Sequence, residues 1–336
     1  MPSSRFVLNR RSFLQASLLA AAIPRAWAQD PCRGPQPGPD GTFPRSTFGE
    51  HSTAEEVTAG VDLSGMNVVI TGCNSGLGYE TMRVLSMRGA HVIGTARSAE
   101  KAERACSSID GSTTPVVLEL SNFDSVRAGA QAINDMDQPI DILICNAGVM
   151  ALPELQLNYG LERQFVVNHL GHFIFVNQLV DQVKRADHGR IVMVSSCAHF
   201  LAPKVGIDFN NLDGSKSYAP WTAYGRSKLA NGLFAVELSR RLAHTNVTAN
   251  SLHPGVIKTN LGRHLEHRTE ASDDDGRYNK STPEGAATQC YVAANPTPAS
   301  ISGQYFSDCN PAQASSLMYD NALASRLWSV SKQLTA

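Results

Sequence analysis

The sequence predicts a single α/β domain over residues 61–336, built on a doubly wound parallel sheet with helices on both faces. Three observations predict it. Short apolar runs alternate with helix-length segments from about residue 60 onward, the runs are apolar at nearly every position, and no internal repeat or second core breaks the order. The strand candidates are 67–70, 91–95, 115–120, 141–145, 190–195, 247–252 and 304–306. Unbroken runs such as Val68-Val69-Ile70 and Ile191-Val192-Met193-Val194 suit strands buried on both sides, and strand-helix-strand order implies right-handed crossovers between parallel neighbours.

Composition narrows the function classes. The 336-residue chain is 42% hydrophobic and 18% charged, which supplies a sizeable core and excludes a disordered or collagen-like polymer. Lys plus Arg, 29, nearly balance Asp plus Glu, 30, so a net charge of −1 offers no field to gather nucleic acid or anionic lipid, and no nucleic-acid partner is expected. Seven cysteines without a C-x-x-C pair spell neither a disulfide framework nor a zinc site. His169, His172, His199 and His253 invite a metal reading, but no further ligand stands at metal-site spacing and no metal is expected. Cys73, Cys145 and Cys197 fall at strand ends and read as small buried side chains.

The N-terminus reads as an export signal over residues 1–28: a basic start ending in Arg10-Arg11, a short apolar stretch, and the small-x-small triplet Ala26-Trp27-Ala28. Arg10-Arg11 with Ser12-Phe13-Leu14 is similar to the bacterial twin-arginine (Tat) consensus, which implies export of a folded protein to the periplasm; a cytoplasmic location is the alternative. Pro24 and Arg25 end the apolar run well short of the roughly 20 residues that cross a bilayer, so no stable membrane anchor is expected. Residues 29–60, rich in proline and glycine, read as a linker or a surface-hugging arm.

Directly after the first strand stands Thr71-Gly72-Cys73-Asn74-Ser75-Gly76-Leu77-Gly78, followed by a helical pattern. In an open parallel sheet a ligand binds beyond the carboxyl ends of the strands, and free amides at a helix start hold a phosphate. Gly72, Gly76 and Gly78 allow the backbone to approach a pyrophosphate, with Asn74, Ser75 and Leu77 completing the turn. After the second strand, Ala96-Arg97 stands where an NAD site carries an acid, and a guanidinium there can fork onto a 2′-phosphate, which favours NADP.

Ser196 ends a buried strand, and Tyr224 and Lys228 share one helical face at i and i+4. A phenol of pKa about 10 is a poor proton carrier near neutrality, but a lysine cation and an oxidised nicotinamide beside it would bring the pKa down. Ser196 would then hydrogen-bond the substrate oxygen. Ser195 is the adjacent alternative.

These residues, with Cys145-Asn146-Ala147-Gly148, Asn168-His169-Leu170-Gly171-His172-Phe173, Val194-Ser195-Ser196 and His253-Pro254-Gly255-Val256-Ile257-Lys258-Thr259, resemble the short-chain dehydrogenases/reductases over about residues 63–333. The runs Asn168 to Phe173, Tyr224 to Asn231 and Phe306-Ser307-Asp308-Cys309 are similar to the retinol dehydrogenase branch, and other segments to WW-domain oxidoreductases and protochlorophyllide reductases. The resemblance implies a Rossmann-type sheet and a tetrad of Asn168, Ser196, Tyr224 and Lys228. Tyr224 would be the acid/base, Ser196 would orient the carbonyl or alcohol, Lys228 would hold the nicotinamide ribose, and Asn168 would keep a relay water near Lys228. It further implies that Glu119 and Leu120 meet the adenine, that Asn146, Ala147 and Gly148 line the adenosine side, and that Pro254, Gly255 and Thr259 border the nicotinamide. Cys145 and Glu119 depart from the family's usual asparagine and aspartate. The long stretch from Ser196 to Tyr224 implies an inserted loop over 200–221 near the substrate mouth, and the acidic run Asp273-Asp274-Asp275 reads as a solvated loop or lid.

The expectation is thus an NADP(H)-dependent oxidoreductase acting on a fairly apolar carbonyl or alcohol, with its oligomeric state open. The alternatives are an NADP-binding redox sensor without turnover and a ring reductase like the protochlorophyllide enzymes.

Overall fold

The computed structural model describes residues 43–264 and 280–336. The signal-like residues 1–28, the start of the 29–60 segment and the acidic run Asp273-Asp274-Asp275 lie outside the described residues.

Ten strands are described: β1 (Asn67–Ile70), β2 (His91–Ala96), β3 (Thr113–Val117), β4 (Ile142–Cys145), β5 (Leu157–Asn158), β6 (Leu161–Glu162), β7 (Arg190–Val194), β8 (Thr248–His253), β9 (Tyr305–Ser307) and β10 (Asn310–Pro311). Eight form one sheet in the order β10-β9-β8-β7-β4-β1-β2-β3, while β5 and β6 make a separate hairpin. Every neighbouring pair from β3 to β9 is parallel; only β9 and β10 run antiparallel. The chain starts at β1, moves outward to β3, then returns on the other side at β4. The order therefore reverses between β1 and β4, and the crevice beyond their carboxyl ends is where such a sheet takes a ligand.

Residues of the central strands β1, β4 and β7 alternate between two separate cores, which is why these strands are almost wholly apolar. Val69, Leu143, Cys145, Ile191 and Met193 join one cluster, whereas Val68, Ile70, Ile142, Ile144, Val192 and Val194 join the other. The first cluster is covered by α4 (Phe123–Asn134), α6 (Gly171–Lys184) and α7 (Pro220–Arg241). The second is covered by α1 (Ala54–Val57), α2 (Gly76–Met87), α3 (Ala99–Ser107) and α8 (Thr282–Ala294). Helices thus lie on both faces. Their starts are locally encoded: Asn122 accepts from the amides of Asp124 and Ser125 ahead of α4, Ser281 and Glu284 form a capping box on α8, and Pro220 opens α7. A short helix α5 (Arg163–Phe165) runs through a π-helical turn, Val166–Leu170, into α6.

The last helix, α9 (Asn321–Leu334), lies on the outer side of α6 and α7. Trp328 packs against Phe173 and Phe234 at ring separations of 5.1 and 5.6 Å, Arg241 stacks over the indole at 4.0 Å, and Ser331 Oγ bonds to His169 Nε2 at 2.8 Å.

Two boundaries differ from expectation. Packing begins before residue 61: α1 carries a Thr53/Glu56 capping box, and Ala54 and Val57 are fully buried against α8. Upstream, Ser46 and Phe48 are hydrogen-bonded to the Cys309-Asn310 turn, so the described part of the 29–60 segment is an arm held against the sheet edge. The expected loop over 200–221 is also shorter, because its first residues belong to a 3₁₀ turn, Cys197–Leu201, and its last ones to α7. No described helix is long and apolar enough to cross a membrane.

Candidate active site

The turn after β1 closes so tightly that only glycine fits. A Cβ on Gly78 would run into the Gly72 carbonyl oxygen, and one on Gly72, whose φ is +76°, would lie 2.9 Å from Ala147 Cβ. Asn146, Ala147 and Gly148, after β4, form the facing wall. Thr71 joins the two: its hydroxyl accepts from the amides of Asn146 and Ala147 at 2.9 and 3.0 Å. The hydroxyl proton goes to His172 Nε2 at 2.9 Å, while His172 Nδ1–H donates to the Asn168 carbonyl at 2.9 Å. Burial lowers the His172 pKa to about 4, so the ring is neutral and this assignment of donors is the one that satisfies every partner.

Asn168 sits within the π turn, where its side chain is a brace. Its Oδ1 accepts from the Val149 amide at 2.8 Å, and its Nδ2 donates to the Val149 carbonyl and to Ser227 Oγ, both at 2.9 Å. Both amide protons are therefore committed within the protein, to the Val149 carbonyl and to Ser227 Oγ. A Cβ on Gly148 would stand 3.0 Å from Asn168 Oδ1 and 3.7 Å from Lys228 Nζ, so the wall of the crevice touches both.

Tyr224, Ser227 and Lys228 lie on α7, which is buried from Ala223 to Leu238. Lys228 Nζ is 5.7 Å from the Tyr224 ring centre and donates to the Val194 carbonyl at 2.9 Å. Burial pushes the Tyr224 phenol well above its ordinary value, opposed by a hydrogen bond with Ser196. Burial likewise brings Lys228 down to about 7. Desolvation therefore dominates both groups here, while the expected lowering of Tyr224 is tied to a Lys228 cation together with an oxidised nicotinamide. The two serines separate cleanly. Ser195 Oγ donates to the Lys228 carbonyl at 2.7 Å and is spent inside the core, while Ser196 Oγ faces Tyr224 and accepts from the Ala198 amide at 3.1 Å.

The remaining expected residues ring the crevice unevenly. Asn74 and Arg97 are exposed, and Ser75, Gly76 and Leu77 are half-buried. Arg97 is close enough to raise the cost of charging Arg263. Thr259 stands over Gly76, 3.5 Å from where a Cβ would be, and Pro254 and Gly255 follow β8. Glu119 turns one carboxylate oxygen onto the amide and hydroxyl of Ser121. The Leu120 side chain is buried against Gly171, away from the crevice, leaving only its backbone as a binding group.

His169 is ringed by Phe165, Phe173 and Phe234, a packing position. Cys73 and Cys145 are free, buried thiols whose pKa burial raises, which suits packing better than nucleophilic chemistry, and Cys197 is buried as well. Thr71 and His172 were missed as organising residues, and the only local signal was the threonine opening the glycine turn.

A parallel sheet with a glycine turn at its switch point, and a Tyr-x-x-x-Lys helix beside it, defines the class of nicotinamide-dependent oxidoreductases. The short chain dehydrogenase family model matches residues 66–270. The chain belongs to the short-chain dehydrogenase/reductase family. It is 40% identical over 303 residues to short-chain dehydrogenase TIC 32 B, chloroplastic, of Brassica napus, covering 86% of this chain and 95% of that one. It is 40% identical to retinol dehydrogenase 12 of Mus musculus over 282 residues, 82% of this chain and 88% of the other. A solved structure of an uncharacterized protein from Mycobacterium Paratuberculosis superposes with a TM-score of 0.68 at 34% identity, covering 85% of this chain and 97% of that one. The family binds NAD(P)(H), and this chain is an oxidoreductase enzyme.

Proposed function

We propose that the enzyme interconverts a carbonyl and an alcohol on a fairly apolar small molecule, using NADP(H). The observation that carries this reading is the approach of Ser196 and Lys228 to the Tyr224 side chain beside Gly148, at the carboxyl end of the sheet.

The residues fit a dinucleotide. The Ser75 side chain makes no capping bond to α2, so the first amides of that helix remain for a pyrophosphate. Asn146, Ala147 and Gly148 would hold the adenosine side, Glu119 and the Leu120 backbone the adenine, and Pro254, Gly255 and Thr259 the nicotinamide. Arg97 would fork onto the 2′-phosphate. Arg97→Ala is expected to weaken NADPH binding by about 10- to 100-fold while leaving NADH within about twofold, since one charge-assisted contact contributes roughly 1.5–3 kcal/mol. Fluorescence titration with both nucleotides measures it, and equal losses for the two would remove the 2′-phosphate assignment.

When bound, the cofactor exchanges a hydride with the substrate carbon. The chain manages the proton. Ser196 donates its hydroxyl hydrogen to the substrate oxygen while its oxygen accepts from the Ala198 amide. In reduction Tyr224 Oη gives its proton to that oxygen, and in oxidation it takes the proton back, with a charged Lys228 one helical turn away stabilising the phenolate. Asn168 serves by bracing Ser227, next to Lys228, against the Val149 backbone. NADPH-oxidation assays against aldehydes, ketones and quinones, with Tyr224→Phe as control, test the reading; no turnover across all three classes would overturn it.

For location we propose twin-arginine export of the folded enzyme with its nucleotide aboard, because Arg10-Arg11 precedes a complete dinucleotide site and free NADPH is not expected outside the cytoplasm. Mass analysis of nucleotide released from purified mature protein should find NADP(H) near one per chain. Empty protein that binds NADPH only weakly would count against it.

A further inference from the structure

One peptide unit, the link between Ser196 and Cys197, is held on both sides by imidazoles from different elements. Its carbonyl accepts from His199 Nδ1 at 2.7 Å, and its N–H donates to His253 Nδ1 at 3.2 Å. The partners dictate opposite tautomers. A carbonyl only accepts, so His199 carries its hydrogen on Nδ1; its Nε2 then accepts from the Ser315 amide at 3.0 Å. An amide only donates, so His253 Nδ1 is bare and the hydrogen is on Nε2. Both rings are buried, at 1% and 6% exposure, and burial lowers their pKa values to about 4 and about 3, so neither ring changes charge at neutral pH. The rings are anchored independently. His253 ends β8, whereas His199, on the 3₁₀ turn, meets Phe200 at 4.1 Å and the edge of Tyr305 on β9 at 5.0 Å.

We propose that His199 and His253 are positioning residues that clamp the Ser196–Cys197 peptide and thereby set where the Ser196 hydroxyl points. The inference rests on the proposed role of Ser196 in the carbonyl/alcohol reaction. With that peptide held by the two rings and by the His199 amide, which also donates to the Ser196 carbonyl at 3.0 Å, the Ser196 backbone is restrained, and the Ala198 amide holds Oγ at 3.1 Å. A displacement of about 1 Å in a reacting group can cost on the order of 100-fold in rate.

Full-length His199→Leu, His253→Leu, the two corresponding asparagine variants and the double leucine variant are assayed with decanal and NADPH. Each leucine variant is expected to lower kcat by about 10- to 100-fold with the KM for NADPH within about twofold, and asparagine, which can donate or accept at the Nδ1 position, to recover most of the loss. Because both rings act on one peptide, the double variant should lose little more than the worse single one. Unchanged kcat in either folded leucine variant overturns the clamp, as does a loss that asparagine fails to recover or that comes with an equal rise in KM for NADPH. Crystal structures of the leucine variants give a readout that needs no turnover: Ser196 Oγ should move away from the Tyr224 hydroxyl, and an unmoved Oγ also overturns the clamp. Wild-type protein inert toward decanal and every other carbonyl would sink the proposed reaction instead, leaving the crystal structures to decide the clamp.

Discussion

Tyr224→Phe is expected to lower kcat by about 10²- to 10⁴-fold, the range that a positioned acid/base contributes, with NADPH affinity unchanged within a few fold. The substitution deletes one oxygen and little else. The ring keeps its edge contact with Trp221 at 6.1 Å, and the Tyr224 carbonyl still accepts from Ser227 Oγ at 2.7 Å. Absorbance of NADPH during turnover measures the first quantity and a binding titration the second. The wild type should also show a directional asymmetry with pH. Burial holds the proton on the phenol, so carbonyl reduction should be nearly flat around neutrality, while alcohol oxidation, which needs the phenolate, should rise as pH rises. A variant retaining more than about a tenth of wild-type kcat would mean that the proton comes from another group.

Lys228→Met is expected to lower kcat by about 10²-fold while leaving the melting temperature at neutral pH equal to that of the wild type or higher. The buried ammonium is a cost to the fold: its pKa drops from 10.5 to about 7 because desolvation disfavours the charge. Its one accepting partner is not orphaned by the change, since Asn231 Nδ2 also donates to the Val194 carbonyl, at 3.2 Å. The sign with pH follows. Below about 7 the folded and unfolded chains both carry the proton and the penalty is complete; between about 7 and 10.5 the unfolded chain binds a proton that the folded chain does not, so wild-type stability from this group rises with pH. The advantage of the methionine variant should therefore be largest near pH 6 and shrink toward pH 10. Thermal melts across that range test it, and a variant melting well below wild type at pH 6 would show that the ammonium is a net support.

Local pattern reveals a residue's type far better than its surroundings. β1, β4 and β7 could be read to within about a residue, because these strands lie between two helical layers and are apolar at nearly every position. β3 could not. It is the sheet edge, with Pro115 and Val117 exposed, and the buried Leu118 and Leu120 that follow belong to the turn into α4, so the apolar run ends later than the strand. The hairpin of β5 and β6, with two residues in each strand, is too short for any period to show. In the site, the glycine turn and the spacing of Tyr224 and Lys228 were legible as motifs. The wiring was not: Thr71, His172 and Asn168 come from three elements about 100 residues apart at the widest, and their hydrogen bonds exist only once the sheet is assembled. The direction of the Lys228 shift was hidden for the same reason, since burial on α7 arises from tertiary packing.

The position of α9 bears on how the polypeptide is made. A ribosome produces this helix after everything it covers, so Phe173, Phe234 and His169 have no partner on that side until residues 321–334 have left the exit tunnel. The helix therefore docks after the elements it covers have been made, and a nascent chain that still lacks it displays an aromatic face of the kind that holding chaperones bind.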